Sequence, residues 1–211
     1  MSFYRRHLPH WDREGVPIFL TWRLYGSLPR SLWEGRSETC PTAGKRFLLL
    51  DRQMDAAVFG PTHLKNPKVA EAVIETLFIG EREWKLYELF AWVVMSNHVH
   101  VLLQPHKPLR QVTRALKNTS ARRANLILGR RGLRFWQDES YDHWVRDGKE
   151  FDRIVRYIEW NPVRAGLVER VEQWRWSSAG KEWQVGDLPY KLSEHGCPLS
   201  CGTLPWQPSL P

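Results

Sequence analysis

The chain has 211 residues, of which 42% are hydrophobic and 26% charged, a composition typical of a folded domain rather than a disordered one. Its formal net charge of +8 and its 12 tryptophans favour a nucleic-acid partner, because arginine follows phosphates and aromatic rings stack on unpaired bases. No apolar run approaches the roughly 18 residues of a membrane span. We therefore expect no membrane association. The three scattered cysteines predict neither a disulfide framework nor a zinc site, so we expect a cytoplasmic setting.

The first third of the chain predicts one strand and two helices. Residues 17–25 are rich in β-branched and aromatic side chains and are followed by Gly26, a pattern typical of a strand. The spacing of apolar residues predicts helices over 43–58 and 66–79.

Two apolar segments, 85–95 and 98–104, predict a β-hairpin that turns at Ser96 and Asn97. His98 and His100 lie just beyond this turn. Because side chains alternate along a strand, both imidazoles point to one face, where they could share a metal ion. The same short pattern is also typical of two hydrogen-bonded histidines at the end of a strand.

A basic helix is predicted over residues 108–128. It carries Arg110, Arg114, Lys117, Arg122 and Arg123, and the first three of these share one helix face. That face is typical either of a solvated surface or of one that contacts phosphates.

A short edge strand over 142–146 and a last helix complete the predicted order. Asp147 and Glu150 have the spacing of a capping box, which predicts the start of a helix. We expect this helix to end near Trp160, because Pro162 disfavours the helical conformation at the residue before it. Strands and helices intermixed around an antiparallel hairpin predict an α+β fold.

The last predicted helix supplies two further candidate site residues. Tyr157 and Asn161 are four residues apart and therefore share a helix face. The Asn161 amide oxygen suits a metal that is also bound by two histidines, and a phenol beside a divalent cation could attack a phosphate. A tyrosine packed on the buried side of its helix is the alternative interpretation.

Residues 92–103, WVVMSNHVHVLL, and 157–168, YIEWNPVRAGLV, resemble the single-tyrosine HUH transposases, and within them the REP-associated tyrosine transposases. Two further segments fit the resemblance: Tyr4-Arg5-Arg6 at the N-terminus, and 135–137 followed by Asp142 and His143.

The resemblance implies a ferredoxin-like HUH core with a central antiparallel sheet packed against helices, over residues 1–180. The remainder, 181–211, has no counterpart in the family and is expected to be an irregular tail, because the end of the chain is rich in Pro and Gly. It implies that His98, His100 and Asn161 bind Mg²⁺ or Mn²⁺. Tyr157 would be the nucleophile that attacks single-stranded DNA and forms a 5′-phosphotyrosine. Tyr141 is a competing candidate, but it has no asparagine four residues later.

The resemblance also implies partners and setting. Tyr4, Arg5 and Arg6 would contact a guide sequence beside a DNA hairpin of the REP type. The basic helix is a further candidate DNA contact on the ground of its charge alone. We expect a bacterial, nucleoid-associated transposase that acts as a monomer or a homodimer. The alternatives are a catalytically silent hairpin-binding protein of the same fold and a metal-dependent enzyme for a small substrate.

Overall fold

The computed structural model describes residues 3–5, 9–11, 15–29 and 43–180. Within these ranges, four strands form one antiparallel sheet, and two three-residue strands, β1 (Phe3–Arg5) and β2 (Pro9–Trp11), pair separately. The strands of the main sheet are β3 (Ile18–Arg23), β4 (Tyr87–Val94), β5 (His98–Pro105) and β6 (Tyr141–Trp144), in the spatial order β4-β5-β3-β6. The predicted β4–β5 hairpin and the edge position of β6 are therefore confirmed.

Among the described residues, four α-helices cover the two faces of the sheet, and the predicted α+β fold is also confirmed. They are α1 (Ala43–Ala56), α2 (Pro67–Arg82), α3 (Leu109–Ile127) and α4 (Gly148–Arg164). Helices α2 and α3 pack on one face, in a core that includes Val73 and Val112. Helices α1 and α4 pack on the other face, in a second core that includes Phe47 and Ile158. Of the helices in the described ranges, none has the combination of length and apolarity that crossing a membrane requires.

The alternation along β5 assigns its residues to the two cores. Val99, Val101 and Leu103 are buried with α2 and α3, whereas Leu102 is buried with α1 and α4. His98 and His100, which have the same parity as Leu102, face α1 and α4.

Helix α4 begins as predicted but ends later than predicted. The Asp147 side chain accepts a hydrogen bond of 2.8 Å from the Glu150 backbone amide and so caps the helix. The expected end near Trp160 is wrong, because the helix continues through Pro162 to Arg164. Asn161 and Pro162 are both buried, so packing of this last turn against the core outweighs the local cost of the proline.

Two features were absent from the predicted order. The β1–β2 pair was not predicted, and neither was the position of residues 174–178, which run along the outer edge of β4. There Ser178 donates its backbone amide to the Trp92 carbonyl, and the Trp174 indole donates to the Val94 carbonyl. The predicted tail, 181–211, and the domain boundary at 180 fall outside the described residues or at their limit, so both remain predictions.

Gly80 in helix α2 offers a test of the packing between this helix and the sheet. A Cβ at Gly80 would lie 2.4 Å from the Tyr87 hydroxyl, which donates to the Leu77 carbonyl at 2.6 Å. Alanine favours a helix over glycine by roughly 0.5–1 kcal/mol, but overpacking costs about 1–3 kcal/mol. We predict that Gly80→Ala lowers the free energy of unfolding in urea by about 1–2 kcal/mol, and that adding Tyr87→Phe restores part of the loss. A Gly80→Ala protein as stable as the parent would contradict this packing.

Candidate metal and nucleophile site

His98 and His100 form the centre of a fully buried polar cluster. Their Nε2 atoms lie 3.0 Å apart, and both side chains are 0% exposed. The Asp51 carboxylate of helix α1 reaches the same point, with its Oδ1 atom 3.2 Å from His100 Nε2 and 3.8 Å from His98 Nε2. One ligand atom from each of the three residues lies within 4.8 Å of the other two, an arrangement that could hold a metal ion.

Hydrogen bonds to the far side of each ring orient both imidazoles for metal binding. His98 Nδ1 donates to the Asn97 side-chain oxygen at 2.7 Å, and His100 Nδ1 lies 2.7 Å from the Thr21 hydroxyl. With a proton on each Nδ1, the lone pair of each Nε2 points into the cluster. Such outer hydrogen bonds commonly fix the tautomer of a metal-binding histidine.

Tyr157 joins the cluster from helix α4. Its hydroxyl donates a hydrogen bond to Asp51 Oδ2, and its ring centre lies 5.8 Å from that of His100. The Arg164 guanidinium lies 4.7 Å above the Tyr157 ring. The structure therefore brings together three of the residues singled out in the sequence, together with Asp51.

Asn161 lies one helical turn beyond Tyr157 and is 0% exposed. Among the described residues, neither atom of its side-chain amide has a hydrogen-bond partner. A buried amide without a partner costs about 1–3 kcal/mol, so its oxygen is available to a bound ligand. Two imidazoles and one carboxylate form the donor set that the described residues bring together, and it fits Mg²⁺ or, more comfortably, Mn²⁺. The Asn161 amide as a further ligand remains a prediction.

The pKa values of the two acids of helix α1, Asp51 and Asp55, are shifted in opposite directions. Burial alone favours the protonated form of Asp51, but His100, His98 and the hydrogen bond from Tyr157 outweigh it and lower its pKa to about 2. Burial and the nearby Asp51 charge raise the pKa of Asp55 to about 8. Burial, together with His100, lowers the pKa of His98 to about 3, so this imidazole is neutral, as metal binding requires. Burial and Asp51 raise the pKa of Tyr157 well above its usual value.

The competing candidate Tyr141 occupies a different position. It lies on the edge strand β6, and its ring stacks on Phe47 of helix α1 with the ring centres 4.0 Å apart. Burial, helped by Asp142, raises the pKa of its phenol. Tyr157, rather than Tyr141, is the tyrosine hydrogen-bonded to Asp51.

The predicted DNA contacts are spread over other surfaces. Helix α3 packs on the sheet face opposite the histidines; on it Arg110, Arg114 and Arg122 are exposed, while Arg123 pairs with Glu75. Lys117 is partly buried and donates to the backbone carbonyls of Gln137 and Asp138 at 2.6 and 2.8 Å. Tyr4 and Arg5 lie on β1, with Tyr4 opposite His10 of β2, and Arg6 lies outside the described residues.

Asp51 was missed in the sequence, although a signal was present. Phe47, Asp51 and Met54 are spaced four and three residues apart, so they share one face of α1, and all three are buried. An aspartate within the apolar face of a helix has to be paired or bound to a metal, since an isolated buried charge is very costly.

Comparisons with known proteins show a similarity to transposases. Residues 64–161 match the model of the family described as "Transposase IS200 like", a little under half of the chain. This segment contains the β4–β5 hairpin, both histidines, Tyr157 and Asn161 but not Asp51, which lies before it.

More particularly, the chain is similar to the REP-associated tyrosine transposases. It is 27% identical over 106 residues to the Escherichia coli (strain K12) protein of that name, and 29% identical over 114 residues to a putative one from Haemophilus influenzae. Each match covers 49% of this chain, and they cover 61% and 65% of the two relatives. The family resemblance inferred from the sequence is confirmed.

A solved structure of a REP-associated tyrosine transposase bound to a REP hairpin has the same fold. Its TM-score is 0.50 at 22% identity, and the match covers 84% of this chain and 82% of that one. The likeness confirms the α+β architecture with its central antiparallel sheet.

Thr21 provides a test of metal binding that leaves every ligand in place. We predict that Thr21→Val, which removes the hydroxyl beside His100 Nδ1, weakens Mn²⁺ binding about 10-fold or more, as is usual for such outer partners. Electron paramagnetic resonance of unbound Mn²⁺ would measure the affinity. The matched control is Thr76→Val: Thr76 is also buried, but its hydroxyl bonds to Ala72 in helix α2. Equal Mn²⁺ affinity in the Thr21 variant and the parent would contradict the proposed tautomer.

Proposed function

We propose that the protein is a metal-dependent transposase or endonuclease that cleaves and rejoins single-stranded DNA at repetitive palindromic hairpins. The hydrogen bond between Tyr157 and Asp51, beside the two histidines, is the observation that carries the proposal. The family match over 64–161 and the two named relatives support the class of reaction. The REP hairpin bound to the solved relative supports the class of DNA.

In the proposed reaction the Tyr157 oxygen attacks a phosphorus of the DNA backbone. The bond from phosphorus to the 3′ oxygen breaks, the 3′ oxygen takes up the proton that the phenol loses by way of Asp51, and the 5′ phosphate remains on the tyrosine. The phenol's proton passes to the Asp51 carboxylate that already accepts its hydrogen bond. Rejoining is the reverse, with a 3′ hydroxyl attacking the phosphotyrosine and Tyr157 leaving. No water is consumed, so the energy of the phosphodiester is retained.

The proposed cofactor is Mg²⁺ or Mn²⁺, held by His98, His100 and Asn161 with Asp51 as a further ligand. A divalent cation there supplies charge neutralisation at the phosphate and helps to orient it for in-line attack. Arg164, above the Tyr157 ring, adds a second positive charge close to where the phosphate has to lie.

DNA entry in this proposal requires helix α1 to move. Tyr157 is 8% exposed and the histidines are 0% exposed, so a phosphate cannot reach them while Asp51 and Phe47 cover the site. The same burial favours one alternative function, a DNA-hairpin-binding protein of this fold that does not cleave. Whether a covalent product forms separates the two.

We predict that a labelled hairpin oligonucleotide with single-stranded flanks gives a denaturation-resistant protein–DNA adduct in Mn²⁺. A chelator abolishes the adduct because the cation is removed, and Tyr157→Phe abolishes it because the nucleophilic oxygen is removed. Tyr141→Phe is the matched control and retains the adduct. Denaturing gel electrophoresis with mass spectrometry of the modified peptide would identify the tyrosine.

Two results would overturn this assignment. Tight DNA binding without an adduct in either metal would leave the non-cleaving alternative. An adduct that survives Tyr157→Phe but disappears in Tyr141→Phe would move the nucleophile to the edge strand.

Asp51→Asn tests the part assigned to the carboxylate. The amide keeps the size of the side chain but loses its negative charge, so we predict that adduct formation slows at least 10-fold and that Mn²⁺ binds more weakly. The control is Asp152→Asn. Asp152 is a partly exposed residue of helix α4, and this substitution removes one charge outside the cluster. Unchanged adduct formation and Mn²⁺ affinity in Asp51→Asn would exclude Asp51 from the reaction.

A further inference from the structure

A groove lies on the sheet face opposite the histidines, between helix α3 and residues 133–140. Its volume is about 470 Å³. Its walls carry four basic side chains and two acidic ones, and aromatic side chains form part of its lining. The residues on which the argument depends are Arg110, Arg114, Lys117, Arg134, Phe135 and Trp136.

Hydrogen bonds between helix α3 and residues 133–140 form the groove before any ligand arrives. Besides the two bonds from Lys117, the Trp136 indole donates to the Ser120 hydroxyl at 2.9 Å, and the Asn125 amide donates to the Leu133 carbonyl at 2.7 Å. Lys117 therefore acts as a clamp between the two walls. A groove fixed in this way loses little conformational entropy when a ligand binds.

The charged groups of the groove are placed to contact a phosphodiester backbone. Arg110 and Arg114 are one helical turn apart and exposed on one wall. Arg134, about half exposed, projects from the other wall, where it forms an ion pair with the exposed Asp138 that a phosphate would have to replace. Guanidinium groups bind phosphate oxygens in a bidentate manner, so the two walls could hold successive phosphates.

An aromatic ring beside the groove suits a base. The Arg134 guanidinium lies 4.8 Å above the ring of Tyr25, which follows strand β3 and is 47% exposed. The Tyr25 backbone amide bonds to the Phe135 carbonyl, which fixes the ring next to residues 133–140. An arginine stacked on a half-exposed tyrosine is the combination on which unpaired bases stack in single-strand binding sites.

We propose that this groove binds an unpaired stretch of DNA, with its phosphates on Arg110, Arg114 and Arg134 and a base stacked beside Tyr25. A duplex turns its bases inward, so only an unpaired strand offers a base to this ring. Residues 133–140 run directly into the edge strand β6, whose Tyr141 packs on the opposite side of the sheet. The bound strand therefore passes around β6 to reach the Tyr157 side. The inference rests on the proposed function in taking DNA as the ligand, but it does not require cleavage.

The test measures binding without chemistry. Fluorescence anisotropy, with a chelator present, would compare a labelled single-stranded oligonucleotide with a blunt hairpin of equal length. Arg114→Gln and Arg122→Gln are matched variants, because both residues are exposed on helix α3 and each substitution removes one charge, but only Arg114 lines the groove.

We expect Arg114→Gln to weaken single-strand binding at least fivefold at low salt and Arg122→Gln to change it less than twofold. The slope of log affinity against log salt should fall by about 0.7 for each lost phosphate contact to a single strand. Tyr25→Ala should weaken single-strand binding at least fivefold, while Tyr25→Phe retains it because the ring remains. The blunt hairpin should respond to Tyr25→Ala less than twofold. Circular dichroism would verify that each variant is folded.

The outcomes separate this inference from the proposed function. Equal losses in Arg114→Gln and Arg122→Gln would indicate attraction to net charge alone and overturn the groove. Equal losses for the blunt hairpin and the single strand in Tyr25→Ala would overturn the assignment of an unpaired ligand. Loss of single-strand binding in the groove variants, from a protein that forms no adduct, would support the groove and contradict the proposed function.

Discussion

The alternation of side chains along strand β5 is the constraint on which the rest of the molecule depends. Val99, Val101 and Leu103 complete the core beneath α2 and α3, while His98 and His100 face α1 and α4. Burial of these three apolar side chains fixes the pairing of β5 with both neighbouring strands, because a slip of one residue would turn every side chain of β5 toward the opposite face of the sheet. The geometry of the two imidazoles is thus a by-product of packing on the other side of the sheet.

Asp51 of helix α1 connects its own helix to strand β5 and helix α4. Its two oxygens contact the histidines of β5 and the tyrosine of α4, and its own helix covers both. A buried carboxylate is stable only with such partners. Helix α1 can therefore pack on the sheet only while the Asp51 charge is paired with the histidines and Tyr157. The two faces of the sheet therefore differ. One face buries the histidines and Tyr157 beneath α1 and α4, and the other carries the basic groove beside α3.

Local patterns in the sequence predicted most of the fold. Runs of β-branched, aromatic and other apolar residues predicted β3, β4 and β5, and the Asp147 cap predicted the start of α4. The end of α4 was misjudged because the preference of a residue before proline is weaker than the burial of Asn161 and Pro162. The pairing of His98 with Tyr157 rested on a family resemblance, since no local rule relates residues so far apart. Asp51 itself could have been identified as a buried acid from its place on the face of α1 that carries Phe47 and Met54, but its partners could not, because tertiary packing sets them.

The position of the histidines has a consequence for how this chain can vary in length. Inserting or deleting one residue between Ser96 and His100 would rotate an imidazole into the α2–α3 core, whereas a two-residue change would restore the parity but displace the rings along the strand. A change of length in this turn is therefore incompatible with the buried cluster. Within the part of the chain that the structure describes, the turn at Ser96 and Asn97 is thus held to a fixed length by the side chains that follow it.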